Sequence, residues 1–210
     1  MPCIKPLDGW LSAKQSESGK YPVVFSIRDA NTDHPIQVPC GKCVGCSKER
    51  AATWATRMAN EASQHDQNSF LTLTYGNPAP LEINKRDLQR FFKRLRNHCK
   101  FRYFACGEYG TKTHRPHYHA IIFGQDFRGG AYTINDNLYG NDIVAAAWGH
   151  GNISIGEVTP ATCAYVAGYV NKKIGDPDTF NLMSRRPGIG KGWLNKYVDD
   201  IARTKQITLE

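Results

Sequence analysis

Residues 115–124 read Arg-Pro-His-Tyr-His-Ala-Ile-Ile-Phe-Gly. A charged turn residue and a proline lead into two histidines around one bulky residue, and the run then turns wholly apolar. The segment is short, ends on glycine and is rich in β-formers, which predicts a strand over His117–Phe123. In a strand alternate side chains share a face, so His117 and His119 stand side by side while Tyr118 points the other way. Two imidazoles on one rigid face make a good divalent-metal pair when a carboxylate lies near. Two half-exposed histidines on an edge strand are the competing reading.

The rest of the chain is read outward from this strand. Phe101–Cys106 precedes it across a Gly-containing connection, and the two segments predict an antiparallel hairpin. Phe70–Tyr75 alternates and ends at Gly76-Asn77-Pro78, a third strand. Between them Asn84 caps a helix whose Leu88, Phe91, Phe92 and Leu95 fall at i, i+3, i+4 and i+7. Ala51, Trp54, Ala55, Met58, Ala59 and Ala62 form one face of a helix over 47–63. Further on, the pattern predicts loops at 124–130 and 135–141, a short helix at 143–148 and a short strand at 152–155. Thr159-Pro160 opens a helix as N-cap and first-turn proline, expected to run to about 174. Residues 175–193, rich in Gly, Pro and Arg, are expected to form a mobile basic loop, followed by a short terminal helix. Residues 1–46 look irregular apart from one strand near 23–28. The expected architecture is α+β: one domain over 1–210, with a central antiparallel sheet of about five strands flanked by helices and a Cys-rich subregion at 1–46.

Composition narrows the functional classes. The 210 residues suffice for one well-buried core. No stretch approaches the roughly 18 apolar residues of a membrane span, and residues 1–5 lack the apolar run of a secretory signal. A reducing, intracellular setting follows as the expectation, so the 7 cysteines point first to metal binding or free thiols rather than disulfides. The net charge of +8 and the pI near 9.1 favour a polyanionic partner, though weakly by themselves.

On the helix beginning at 160, Cys163, Val166, Ala167, Val170 and Ile174 cluster into one apolar stripe. Tyr165 and Tyr169 sit about 160° and 120° from the middle of that stripe, with Lys172 on their side. Two hydroxyls one turn apart therefore face something other than the core, or else pack a second layer. Combined with the histidines they fit one reaction. A metal on His117 and His119 polarises a phosphodiester, and a tyrosine hydroxyl attacks the phosphorus. Tyrosine has a reference pKa of about 10, so a nearby cation, the metal or Lys172, is needed to favour phenolate. Glu108, ending the preceding strand, is the candidate third ligand and would tilt the site toward Mg²⁺ or Mn²⁺; a solvated turn glutamate is the alternative.

Cys40, Cys43 and Cys46 are spaced C-x-x-C-x-x-C, and with Cys3 or His34 as fourth ligand they suit a structural Zn²⁺ site. An iron–sulfur cluster and free thiols are the other readings. Arg185, Arg186 and Lys191 on the glycine-containing loop are candidates for DNA phosphate contacts. Lys191 lies in Gly-Lys-Gly without the remaining residues of a phosphate-binding loop, which argues against an ATPase.

His117-Tyr118-His119 with Tyr165-x-x-x-Tyr169 downstream resembles the HUH endonuclease superfamily. The segments 39–46, 106–110, 115–119, 165–170 and 183–190 together resemble the replication initiators of gokushovirus-type microviruses, in colinear order over most of the chain, with 70–75 matching the first strand motif of that group. The resemblance implies a site-specific single-stranded DNA nickase that starts rolling-circle replication. It implies a 5′-phosphotyrosine bond to one tyrosine, a freed 3′-hydroxyl, and a second tyrosine that lets the displaced strand be joined. It assigns the metal to His117, His119 and Glu108, and it implies the replication origin, a host helicase and polymerase as partners, no membrane, and the bacterial cytoplasm as location. Conjugative relaxases, the sister class, place a tyrosine upstream of three histidines, whereas here both tyrosines follow two. A non-catalytic nucleic-acid-binding module with a zinc knuckle is the reading from another class.

Overall fold

The computed structural model describes residues 3–110, 114–170 and 179–207, which fall into two compact units, 1–50 and 51–210. In the first unit, β1 (Leu7–Ser12) pairs antiparallel with both β2 (Val23–Val24) and β3 (Ala30–Val38). The expected strand at 23–28 is thus only two residues long, and residues 27–29 form a 3₁₀ turn capped by Ser26. The region is more regular than expected. β3 was not legible because its sequence, Ala-Asn-Thr-Asp-His-Pro-Ile-Gln-Val, is mostly exposed and carries no apolar alternation. Its Pro35 is tolerable because β3 is an edge strand.

The helix α1 (Val44–Ala62) begins three residues earlier than expected. The second unit is built on a seven-stranded antiparallel sheet, ordered β10-β5-β6-β4-β9-β8-β7. Its strands are β4 (Asn68–Tyr75), β5 (Arg102–Tyr109), β6 (Pro116–Phe123), β7 (Tyr132–Asn135), β8 (Leu138–Gly140), β9 (Gly151–Gly156) and β10 (Phe180–Met183). Four of these were read from the sequence. β8 falls inside the expected loop at 135–141 and pairs through the Asp136-Asn137 turn with β7, which lies just before it, and β10 pairs with β5 inside the segment expected to be loop. These three strands are three or four residues long and largely outside the core, so they leave almost no hydrophobic period to detect.

The sheet has two unlike faces. On one, Leu71, Leu73, Tyr75, Tyr118, Ala120, Ile122, Ile153 and Ile155 form the main core with α2 (Lys85–Leu95) and α3 (Asp142–Trp148). Each fully buried large side chain here stabilises by about 1.5–3 kcal/mol. Asn84 caps α2 by accepting from the Arg86 N–H at 3.0 Å, and Leu88, Phe91, Phe92 and Leu95 point inward as their spacing demands. On the other face, Phe104, Cys106, Ile121 and Phe123 pack with Met58 of α1, with Ile189, and with Cys163, Val166 and Ala167 of α4 (Pro160–Gly168). Thr159 forms a full capping box at the start of α4. The helix is shorter than expected, since Gly168 is its last residue and Tyr169 its C-cap. Residues 171–178 lie outside the described residues, and Lys172 with them. The terminal helix α5 (Lys191–Ile207) is long rather than short. Among the described residues no helix is long and apolar enough to cross a membrane.

Candidate active site

Strand register brings the site together. Thr74 lies opposite His117 and Thr72 opposite His119 on β4, while on β5 Glu108 lies opposite His117 and Cys106 opposite His119. Directly paired residues share a face, so both histidines, Glu108 and Thr72 stand on the face that carries α4. Tyr118 points to the other face and is fully buried there.

His119, only 7% exposed, is the hub. Its Nε2 lies 2.9 Å from Glu108 Oε1 and 3.4 Å from the Tyr165 hydroxyl, and its Nδ1 lies 3.1 Å from Thr72 Oγ1. The Phe70 and Tyr169 rings lie nearly parallel to the imidazole, with interplanar angles of 11° and 18°. Tyr165 meets it edge-on, and meets Tyr169 edge-on as well. The two tyrosines therefore bracket one histidine. Tyr165 is 48% exposed, while Tyr169 is half-buried. Burial, reinforced by the Tyr165 and Glu108 side chains, pushes the Tyr169 hydroxyl above its ordinary pKa. Burial, joined by the like charge of His119, also lowers the His117 pKa against the opposing pull of Glu108. A neutral imidazole is the form that binds a metal.

The donor set fits a hard divalent ion in part. Neighbouring ligands of an octahedral ion at roughly 2.1 Å lie about 3.0 Å apart, and His119 Nε2 and Glu108 Oε1 already hold that separation. Thr72 bonds the other imidazole nitrogen of His119, a contact that fixes the ring's orientation and would aim Nε2 at a bound ion. Among the described residues His117 Nδ1, which is buried, has no hydrogen-bond partner. His117 shares the face but does not converge as tightly. Among the described residues only Cys3, Cys40, Cys43 and Cys46 gather three or more ligand atoms within 4.8 Å of one another.

Those four cysteines sit within the first unit. Their sulfurs are 3.8 Å apart for Cys3 and Cys43, 3.9 Å for Cys40 and Cys46, and 3.6 Å for Cys43 and Cys46. A tetrahedron of sulfurs at roughly 2.3 Å from zinc has edges of about 3.8 Å. Backbone N–H groups of Ile4, Cys40, Cys43 and Cys46 point at sulfurs of the group. The fourth member is Cys3, not His34.

The basic candidates are placed differently. Arg185 and Arg186 are exposed in the 184–190 turn, and Lys191 opens α5 at a groove of about 690 Å³ shared with Arg57 and Trp193. Trp193 stacks on Tyr197, 4.9 Å between centroids. Thr72 and Phe70 are the site residues that sequence reasoning missed. Their signal was available, since both alternate with the core residues of β4, but which strand lies beside the histidines is a matter of sheet order.

The family model for replication-associated protein ORF2/G2P matches residues 68–174, which run from β4 through the tyrosine helix and hold the whole histidine site. Replication-associated protein VP4 of Bdellovibrio phage phiMH2K is 31% identical over 94% of this chain and 68% of its own length. Replication-associated protein ORF2 of Spiroplasma virus 4 is 33% identical over 80% of this chain, and ORF4 of Chlamydia phage 1 is 33% identical over 82%. The chain spans 60% and 49% of those two relatives. No solved structure matches it. The family model reaches over the site and the relatives' identity runs through most of the chain, and both agree with the resemblance carried by the sequence: the chain belongs to the replication-associated protein ORF2/G2P family, of the gokushovirus type.

Proposed function

We propose that the chain is a site-specific single-stranded DNA nickase and strand transferase that initiates rolling-circle replication. The observation that carries this reading is the Tyr165 hydroxyl, 3.4 Å from an imidazole that also holds a carboxylate at 2.9 Å. A nucleophile and a phosphate-activating group thus meet at one point. His117, His119 and Glu108 would hold Mn²⁺ or Mg²⁺, which when bound would withdraw charge from the phosphate oxygens. Tyr165 or Tyr169 attacks the scissile phosphorus, an Oη–P bond forms, and the P–O3′ bond breaks. The phenolic proton leaves toward Glu108 or solvent, and the departing O3′ takes up a proton to become the primer hydroxyl. The 5′ end stays on the tyrosine. The second tyrosine, in edge contact with the first, repeats the attack on the regenerated origin. The first 5′-phosphotyrosine then yields to the new 3′-hydroxyl, which closes the circle.

Arg185, Arg186, Lys191 and Lys172 serve as cationic contacts to DNA or to the reacting tyrosine. Cys3, Cys40, Cys43 and Cys46 hold a structural Zn²⁺, in keeping with their tetrahedral sulfur spacing. A host helicase and polymerase extend the freed primer, and the protein works in the bacterial cytoplasm.

The test is incubation with origin-containing single-stranded DNA and Mn²⁺, followed by denaturing electrophoresis. A protein–DNA adduct is expected, lost in the Tyr165→Phe/Tyr169→Phe double variant and in His119→Ala. Absence of an adduct with the native chain leaves a non-catalytic binding module. Peptide mass mapping of the native chain's adduct locates the first attack.

A further inference from the structure

Beside the histidine site, where β9 forms the sheet's open side, lies a second hollow of about 320 Å³, reached also by Ile153 and by Ala145 of α3 from the core side. Its floor is four small polar side chains on adjacent strands. Thr72 lies opposite Ser154 and Thr74 opposite Asn152, all on the face that carries the histidines. Tyr132 and Ile134 of β7 form the wall. Tyr132 is held there by its cross-strand partner Gly140, where a Cβ would come within 2.1 Å of the tyrosine ring. The ring needs the space that glycine leaves, an aromatic–glycine pairing that fixes a strand edge.

The chemistry of the lining selects a ligand class. Among the described residues no Lys, Arg, His, Asp or Glu lines the hollow, so none of them offers a phosphate or a metal ion a counter-charge. Three hydroxyls and one carboxamide both donate and accept hydrogen bonds. Together with an aromatic wall they suit a flat, neutral, polar-edged group. The volume is at the low end for ligand pockets, which run from about 300 to 1,000 Å³. The position narrows the choice further. Thr72 lines the hollow and also bonds the His119 imidazole at 3.1 Å, so the hollow begins one hydroxyl away from the reacting centre.

We propose that this hollow takes one unpaired nucleobase of the single strand, next to the scissile phosphate, with Asn152 reading the base edge and Tyr132 stacking on its face. The proposal rests on the nickase reading for the position of the phosphate. It makes Asn152 and Tyr132 determinants of where the strand is cut. Arginine and lysine contacts hold a strand without reading it, whereas base contacts specify sequence.

The experiment uses an oligonucleotide selected from a random single-stranded pool by retention on the full chain, then remade with one abasic position moved along it. Binding is read by fluorescence anisotropy on the Tyr165→Phe/Tyr169→Phe background, where no cleavage occurs. One position is expected to lose about 5- to 150-fold in affinity when its base is removed, the range of single base-stacking contacts. Asn152→Ala and Tyr132→Ala should each shrink that penalty while leaving other positions as they were. Asn152 is exposed, so its truncation spares the core. A flat abasic profile, an unchanged profile in both variants, or a uniform loss at every position overturns the proposal. Failure of the native chain to form an adduct sinks the nickase reading instead, and leaves the anisotropy profile to stand or fall alone.

Discussion

Tyr118, the residue between the two histidines, holds its strand from the far side of the sheet, and removing its hydroxyl is the sharpest test of that arrangement. The side chain is fully buried, and the hydroxyl lies 2.8 Å from the Asn84 N–H, 3.1 Å from the Asn84 carbonyl and 2.9 Å from the Tyr75 hydroxyl. Tyr75 in turn donates to the Asp87 carboxylate at 2.9 Å. With that proton committed, the Tyr118 hydroxyl accepts from the Asn84 N–H and donates either to the Asn84 carbonyl or to Tyr75. Two hydrogen bonds are thus satisfied at once, each contributing about 1 kcal/mol net. Asn84 is exposed and recovers a water when the hydroxyl goes, and Tyr75 keeps Asp87. Tyr118→Phe is therefore expected to lower stability by about 1–2 kcal/mol, or a Tm drop of roughly 2–8 °C for a chain of this size. Urea unfolding measures it, and a cycle with Tyr75→Phe should show coupling of at least about 0.5 kcal/mol because both substitutions cut the same chain of bonds. A loss below about 0.5 kcal/mol, the scatter of ordinary surface changes, or strict additivity with Tyr75→Phe refutes the reasoning.

Three further outcomes follow from the same geometry. Thr72→Val keeps the shape of the side chain but removes the partner of His119 Nδ1, so the Mn²⁺ concentration for half-maximal adduct formation should rise about 10- to 100-fold, the usual cost of losing a group that orients a metal-binding histidine; an unchanged Mn²⁺ titration counts against His119 as a ligand. Mass spectrometry under native conditions should find about one zinc per chain, released by chelation and abolished by Cys40→Ser together with Cys43→Ser; an absorbing, coloured protein would mean iron in its place. Burial raises the Asp126 pKa, but the combined hydrogen bonds from Arg128 outweigh it and leave the carboxyl below its usual value. The stabilisation is therefore present above the unfolded pKa and lost as pH falls through the lower folded one. Because both side chains are a quarter or more exposed, Asp126→Asn should cost about 1 kcal/mol or less at pH 7 and nothing in strong acid; a cost that persists in acid excludes the ion pair as its source.

The site was legible where its chemistry is local. Two residues of spacing set His117 and His119 on one face, and helical spacing keeps Tyr165 and Tyr169 off the apolar stripe, although Tyr169 also packs against the core that the stripe joins. Glu108 was a weaker inference, because a carboxylate ending a strand looks the same whether it meets a ligand or solvent. Register places Glu108 directly opposite His117, on the histidine face and out of solvent. The short strands β7, β8 and β10 escaped notice because four exposed residues carry no period.

By itself the sequence determined which side chains alternate and which helix faces are apolar, since these depend on backbone geometry repeated every few residues, and it named the candidate site residues by their type. Only the tertiary structure decided that β4 lies between the histidine strand and β9, and that the tyrosine helix crosses this face rather than the other. Those choices depend on pairing between segments tens of residues apart, where the same local pattern allows several sheet orders. The hub at His119, with Thr72 behind it, Glu108 beside it and two tyrosines around it, is a product of that order.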